Sequence, residues 1–195
     1  MRSAQRSSFG GTEAGTRIET WTGGQFAARV DEAMTIYVRA MRYADHTGLQ
    51  RAVSARKHAS LDGFACRAAL DENDRLVGFG YGYTTKPGQW WHDLVRKSMD
   101  RQAAAEWLVD AFELSELHVL PDHQGIGIGR RLLTSLAAGI PHAAMLLSTP
   151  DNDTRAFRLY RALGFSDIAR NYMFPGDARP FAVLGSRLPL RDGHR

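Results

Sequence analysis

Two hydrophobic periods alternate along the chain, and their order predicts its elements. Residues 16–21 (TRIETW) alternate apolar with polar and predict a first strand. Residues 24–43 change to helical spacing through Phe26, Val30, Ala33, Met34, Tyr37, Val38 and Met41, which predicts one helix. A weaker helix is expected over residues 49–60. Residues 63–85 then read as a hairpin, two β-type runs around the polar turn Asp71–Asp74. Gly78, Gly80 and Gly82 fall on one face of its second strand, and a strand bare on one face permits a close approach.

Residues 86–110, with Trp90, Trp91, Leu94, Val95 and Met99, are expected to be a helical insertion over the sheet. The next strand is residues 112–119. A helix carrying Leu132, Leu133, Leu136 and Ala137 follows and stops at Gly139, with Pro141 beyond. The apolar run 143–149 has the look of a buried strand. A helix after it takes Asp153 as its N-cap and Gly164 as its stop. Two last strands are expected at residues 167–174 and 180–188.

The alternation makes the chain an α/β protein, and its 195 residues suit one domain, expected over residues 16–188. Residues 1–15, rich in Ser, Gly, Thr and Arg, read as a disordered leader, and residues 189–195 as a tail. The net charge of +4 does not mark a basic face. Arg2, Arg6 and Arg17 against Glu13, and Arg187, Arg191 and Arg195 against Asp192, account for all of it. Nucleic acid is therefore not expected as a partner. No apolar run is long enough to span a membrane, and none is expected to bind one. The single cysteine, Cys66, excludes an internal disulfide and a cysteine-rich metal site, so no metal is expected and a cytoplasmic setting fits.

The chemistry gathers around "HVLPDHQGIGIGRRLL", residues 118–133. A glycine turn opening a helix turns unpaired backbone N–H groups toward one anion, with the helix dipole behind them. The Lys-Ser/Thr of a triphosphate loop is missing, because Arg130 and Arg131 follow the last glycine. The spaced third glycine of a dinucleotide fingerprint is missing too, since its place falls on Arg130 or Leu132. What fits is Q/R-x-x-G-x-G/A, filled by Gln124, Gly127 and Gly129.

That pattern resembles the coenzyme A pyrophosphate loop of the GNAT superfamily of N-acetyltransferases. "LHVLPDHQGIGIGRRLL" is similar to the family's strand–loop–helix, and "NDTRAFRLYRALGF" to its second signature. The resemblance covers about residues 16–188, most specifically 112–165. It implies a mixed, mostly antiparallel sheet of about six to seven strands, flanked by helices and splayed in the middle. It also implies acetyl-CoA as co-substrate and a primary amine as acceptor, on a small molecule or a peptide. Either a monomer or a homodimer is compatible with it.

By matching position, the backbone of Leu117, His118 and Val119 would hold the pantetheine arm, with the Val119 N–H toward the acetyl oxygen. The loop of Gln124, Gly125, Ile126, Gly127, Ile128, Gly129 and Arg130 would take the pyrophosphate. Tyr160 would protonate the leaving thiolate, and Asn152 would bond the pantetheine or order the splayed strand. Glu113 and Glu116 are equal candidates for the base. Three apart, they face opposite sides of a regular strand, and a bulge would change that. His118, the other titratable group there, is expected to pack outside the site.

For the acceptor, the resemblance implies a neighbourhood of Trp21, Tyr37, Trp90, Trp91, His92, Tyr172 and Phe174. Trp90, Trp91 and His92 suit either a lid over that site or a helix anchor. Two rival functions are weighed: a catalytically silent acyl-CoA-binding regulatory domain of the same fold, and a nucleotide-binding protein of another fold. The intact Gln124, Gly127, Gly129 and Tyr160 speak against the first, and the failed fingerprints against the second.

Overall fold

The computed structural model describes residues 15–191. Most of the expected leader and the last four residues of the expected tail lie outside that range. A seven-stranded sheet runs through the protein in the order β1-β2-β3-β4-β5-β7-β6. Its strands are β1 (Arg17–Trp21), β2 (Ala65–Leu70), β3 (Leu76–Thr84), β4 (Ala111–Val119), β5 (Ala144–Pro150), β6 (Ser166–Met173) and β7 (Pro180–Arg187). Every neighbouring pair is antiparallel except β4 and β5.

The helices are α1 (Gly23–Ala28), α2 (Val30–Met41), α3 (Asp45–His58), α4 (Trp90–Lys97), α5 (Arg101–Trp107), α6 (Ile128–Ala138) and α7 (Arg155–Ala162). On one face of the sheet, Phe26, Val30, Met34, Ala52 and Ala55 bury against Phe79 and Tyr81. Trp91, Val95, Met99 and Leu108 bury against Leu146 and Val183 on that same face. The other face takes α6 and α7, whose Leu133, Leu136 and Tyr160 meet Met145, Leu147 and Leu184. Each such large side chain contributes roughly 1.5–3 kcal/mol on burial, so both layers are needed to hold the sheet.

Several expected elements are corrected. The helix expected over residues 24–43 breaks at Arg29 (φ −116°, ψ 19°), which ends α1 and starts α2. A capping box between Thr22 and Gln25 fixes the start of α1. The insertion is two helices, because the Asp100 side chain accepts from the Ala103 N–H and starts α5. The N-cap of α7 is Thr154, whose hydroxyl accepts from Phe157 N–H, and not Asp153, which pairs with Arg158.

The glycine face of β3 is also filled from within. A Cβ on Gly82 would stand 2.0 Å from the Glu113 carbonyl oxygen, and one on Gly80 would stand 2.9 Å from Leu117. What approaches closely is β4 itself. No helix among the described residues is long and apolar enough to cross a membrane.

Candidate active site

The site forms where the sheet opens. β4 and β5 pair only through Ala111–Glu113 and Ala144–Leu146; beyond that the two strands part. β4 stays on β3, with Phe79 opposite His118 and Gly78 opposite Val119. Hydrogen bonding in an antiparallel ladder alternates. Leu120 N–H donates to Val77 O, so Leu117 and Val119 turn their backbone N–H and C=O groups away from β3, into the opening. A cleft of about 1170 Å³ fills it and continues onto the face of α2, α3 and α4.

At one end lies the glycine loop. Gly125 and Gly127 hold φ of 87° and 86°, the left-handed region that glycine adopts without strain. Gly127 is the N-cap of α6, and a Cβ there would meet nothing within 4 Å, so its inner side is open. Gln124 lines the cleft, and its Nε2 donates to Val119 O at 2.9 Å, which pins the loop to the strand end. Gly129 lets Leu159 of α7 pack 3.6 Å from where a Cβ would stand. Gly125, Gly127, Gly129 and Arg130 line the cleft. Ile128 is buried in the core and Ile126 is exposed, so neither side chain lines it.

Sequence reasoning missed Arg155. Its guanidinium lies 3.4 Å from a Cβ position on Gly125, lines the cleft, and has no carboxylate partner among the described residues. The loop and this cation together fit a pyrophosphate: an open cradle of N–H groups at a helix N-terminus, with Arg155 and Arg130, neither ion-paired among the described residues, beside it. Asn152 is exposed and lies outside the cleft, whereas Thr154 and Arg155 line it. The buried acid of that turn is Asp151, tied to Arg170 and to the Asn171 N–H.

At the other end stand two buried glutamates. Tyr81 pairs with Glu116 and Gly82 with Leu114, which leaves Ser115 as a bulge. Glu113, opposite Tyr83, and Glu116, opposite Tyr81, therefore share one face.

Their surroundings differ. Glu116 accepts from Arg51 Nε on α3 at 2.5 Å and from His118 Nε2 at 2.5 Å. Burial by itself would raise this carboxyl; the Arg51 guanidinium, then His118, outweigh it and hold it well below the usual range, at about 2. Glu113 accepts from the Tyr83 hydroxyl at 3.0 Å, and its Oε2 is buried without a partner. Burial pushes Glu113 up to about 8, against the smaller pulls of Tyr83 and Arg51.

His118 is not packed outside the site. It lines the cleft between Glu116 and the edge of Tyr37, ring centroids 5.1 Å apart. His58 of α3 reaches Tyr81 at 3.2 Å, and burial, then Arg51, push it down to about 4, so it is neutral near pH 7. Tyr160 lines the cleft from α7, and burial, then Glu116, raise its phenol far above the ordinary value. The phenol therefore keeps its proton near pH 7.

The expected acceptor neighbourhood is partly assembled. Tyr37, Trp90, Trp91 and Phe174 line the cleft. Trp91 is an anchor, buried, with its N–H on Ser148 at 3.0 Å. Trp90 is 62% exposed and lies against Phe174 at the mouth. Trp21 is in the core under α1, His92 turns to Asp93 away from the cleft, and Tyr172 donates to Leu94 O. Among the described residues no group of three His, Cys, Asp or Glu could hold a metal.

A glycine-capped helix N-terminus can hold an anion, and the buried Glu113 carboxyl on β4, one of the two parting strands, can exchange a proton beside it. The comparisons show the family. The model of the FR47-like protein family matches residues 94–174. The GCN5-like protein acetyltransferase Rv2170 of Mycobacterium tuberculosis is 40% identical over 191 residues, covering 83% of this chain and 93% of the relative.

Among solved structures, a GNAT-family acetyltransferase from Desulfovibrio desulfuricans superposes with a TM-score of 0.62 at 14% identity, over 88% of this chain and 98% of the other. The acetyltransferase yncA of Salmonella typhimurium, solved with acetyl-CoA, superposes at 0.59 and 19%, over 91% and 96%. The chain belongs to the GNAT superfamily and is an acetyltransferase.

Proposed function

We propose that the protein moves the acetyl group of acetyl-CoA to a primary amine, with Glu113 as base and Tyr160 as acid. The observation that carries this is the opening between β4 and β5, which joins the glycine loop, the Leu117 and Val119 N–H groups turned away from β3, and Glu113 in one cleft. The 40% identical relative is named a protein acetyltransferase, so a polypeptide amine is one source of acceptor and a small molecule the other.

Each residue then has a task. The N–H groups from Gly125 to Arg130, with Arg155, hold the pyrophosphate of acetyl-CoA. Leu117 and Val119 hydrogen-bond its arm as an added strand would, and Val119 N–H donates to the thioester oxygen as that oxygen gains charge. Alkylammonium groups carry pKa values near about 10, so the amine must lose a proton first. Glu113 takes that proton. The nitrogen lone pair forms the new C–N bond, the C–S bond breaks, and Tyr160 gives its proton to the sulfur. The new amide nitrogen then sheds its second proton, which restores the Tyr160 phenol, and Glu113 releases its proton to solvent.

Glu116 is a fixed anion, saturated by Arg51 and His118, and is too weak a base for this step. A silent binding domain has no use for a buried carboxyl left half unsatisfied, which costs roughly 1–3 kcal/mol.

The test is acetyl-CoA with a panel of amines, following free thiol. Amine-dependent release supports the reading. Tight coenzyme A binding without turnover on any amine favours a silent domain.

A further inference from the structure

The acceptor half of the cleft has an unusual charge inventory. Its carboxyl groups are Glu113, Glu116 and Asp177. Glu116 has both oxygens engaged, by Arg51 and His118. Asp177 has both engaged by Arg179, Oδ1 at 2.9 Å and Oδ2 at 2.6 Å. Glu113 Oε2 is the one carboxyl oxygen here that is buried and unpartnered among the described residues. On the positive side, Arg51 and Arg179 are matched in these pairs, and His58 lines the cleft neutral. Lys57, at the end of α3, also lines the cleft and has no ion pair among the described residues.

The rest of this half is apolar and flat. Tyr37 and Tyr43 meet edge-on at 5.5 Å on the α2 side. Opposite, Trp90 covers Phe174, which meets Phe181 edge-on at 5.3 Å. Arg179 stacks over Tyr43 at 5.4 Å and Phe181 at 5.6 Å, closing the aromatic wall between them. An amine arriving here meets hydrocarbon and aromatic surface for its stem, one lining carboxyl that no cation neutralises, Glu113, and one exposed cation without an ion pair among the described residues, Lys57.

Resting on the acetyl-transfer reading above, we propose that the acceptor is a primary amine on an apolar stem whose remaining body is neutral or acidic, and that acceptors with a second cation near the amine are selected against. A polyamine or a basic peptide would bring a charge for which the cleft holds no free carboxylate, toward Lys57, which repels it. The same chemistry is met by a free alkyl- or arylalkylamine and by a lysine in a neutral or acidic segment of polypeptide.

The test compares kcat/KM, by thiol release at pH 8, for matched five-carbon acceptors: n-pentylamine, 5-aminopentanoate and 1,5-diaminopentane. A second arm uses acetylated, amidated lysine tripeptides flanked by glycine, glutamate or arginine. The diamine and the arginine-flanked peptide are expected to fall roughly tenfold below their neutral partners, as one unshielded like charge implies. Lys57→Glu should close most of that gap. The arm with the higher kcat/KM identifies the source.

A diamine or arginine-flanked peptide that equals or exceeds its neutral partner overturns the inference while leaving acetyl transfer intact. A gap unchanged in Lys57→Glu overturns the part given to Lys57. Absence of turnover with every amine overturns the acetyl-transfer reading, and this inference with it.

Discussion

Glu113 and Glu116 stand three residues apart on β4 and still face the same side, because Ser115 bulges between them. One side chain is saturated and the other is half free. Glu113→Gln should therefore lower kcat by roughly 10²–10⁴, the usual worth of a positioned base. Glu116→Gln should keep much of kcat but lower stability by roughly 1–2 kcal/mol, because Arg51 loses its partner while staying partly solvated. Steady-state rates and thermal melts of the two variants separate the roles; equal kcat losses contradict them.

The pH dependence follows from Glu113. Its carboxyl accepts a proton only when ionised, and burial raises it to about 8. The rate should climb as pH rises through about 8, and this limb should vanish in Glu113→Gln. The stability sign is opposite. A raised carboxyl favours the folded state below the ordinary carboxylate range, and that advantage is lost as pH rises toward about 8. Glu113→Gln should thus be more stable than the parent at pH 9, by about 1–2 kcal/mol after its amide finds only part of its hydrogen bonding. Melting both proteins at pH 5 and pH 9 checks the sign.

Much of the glycine-loop end of the cleft was legible in the sequence. The glycine turn, the strand before it and the helix after it are local, and their periodicity needs no tertiary knowledge. The end that holds the two glutamates was legible only in part. Arg51 is 65 positions from Glu116 and Tyr83 is 30 from Glu113, and strand pairing and helix packing alone bring them together. The bulge that aligns the two glutamates depends on β3 and leaves no periodic trace in β4. The helix breaks at Arg29 and Asp100 were missed because the apolar spacing runs on across both.

Tyr160→Phe removes a hydroxyl for which no hydrogen bond is formed among the described residues, so folding should be unaffected within about 0.5 kcal/mol. The kcat should fall about tenfold or more, with KM for acetyl-CoA little changed. A large change in KM with kcat intact contradicts the acid role.

Gly127→Ala and Gly82→Ala should fail for different reasons. At Gly127 there is room but φ is 86°, so the cost is about 1–2 kcal/mol of backbone strain, with weaker acetyl-CoA binding. At Gly82 the methyl would meet the Glu113 carbonyl, so β3 and β4 must separate and the base moves. Arg155→Ala should raise KM for acetyl-CoA several-fold while kcat holds, as one charge-assisted contact implies. Titration of coenzyme A against each variant distinguishes these outcomes.

The most direct measurement is thiol release from acetyl-CoA, with and without n-pentylamine, by the parent protein and by Glu113→Gln across pH 6 to 9.5. The account predicts release that requires the amine, rises through about pH 8 in the parent, and drops by roughly 10² or more without that limb in the variant. Amine-dependent release at the parental rate and with the parental pH profile in Glu113→Gln would contradict it.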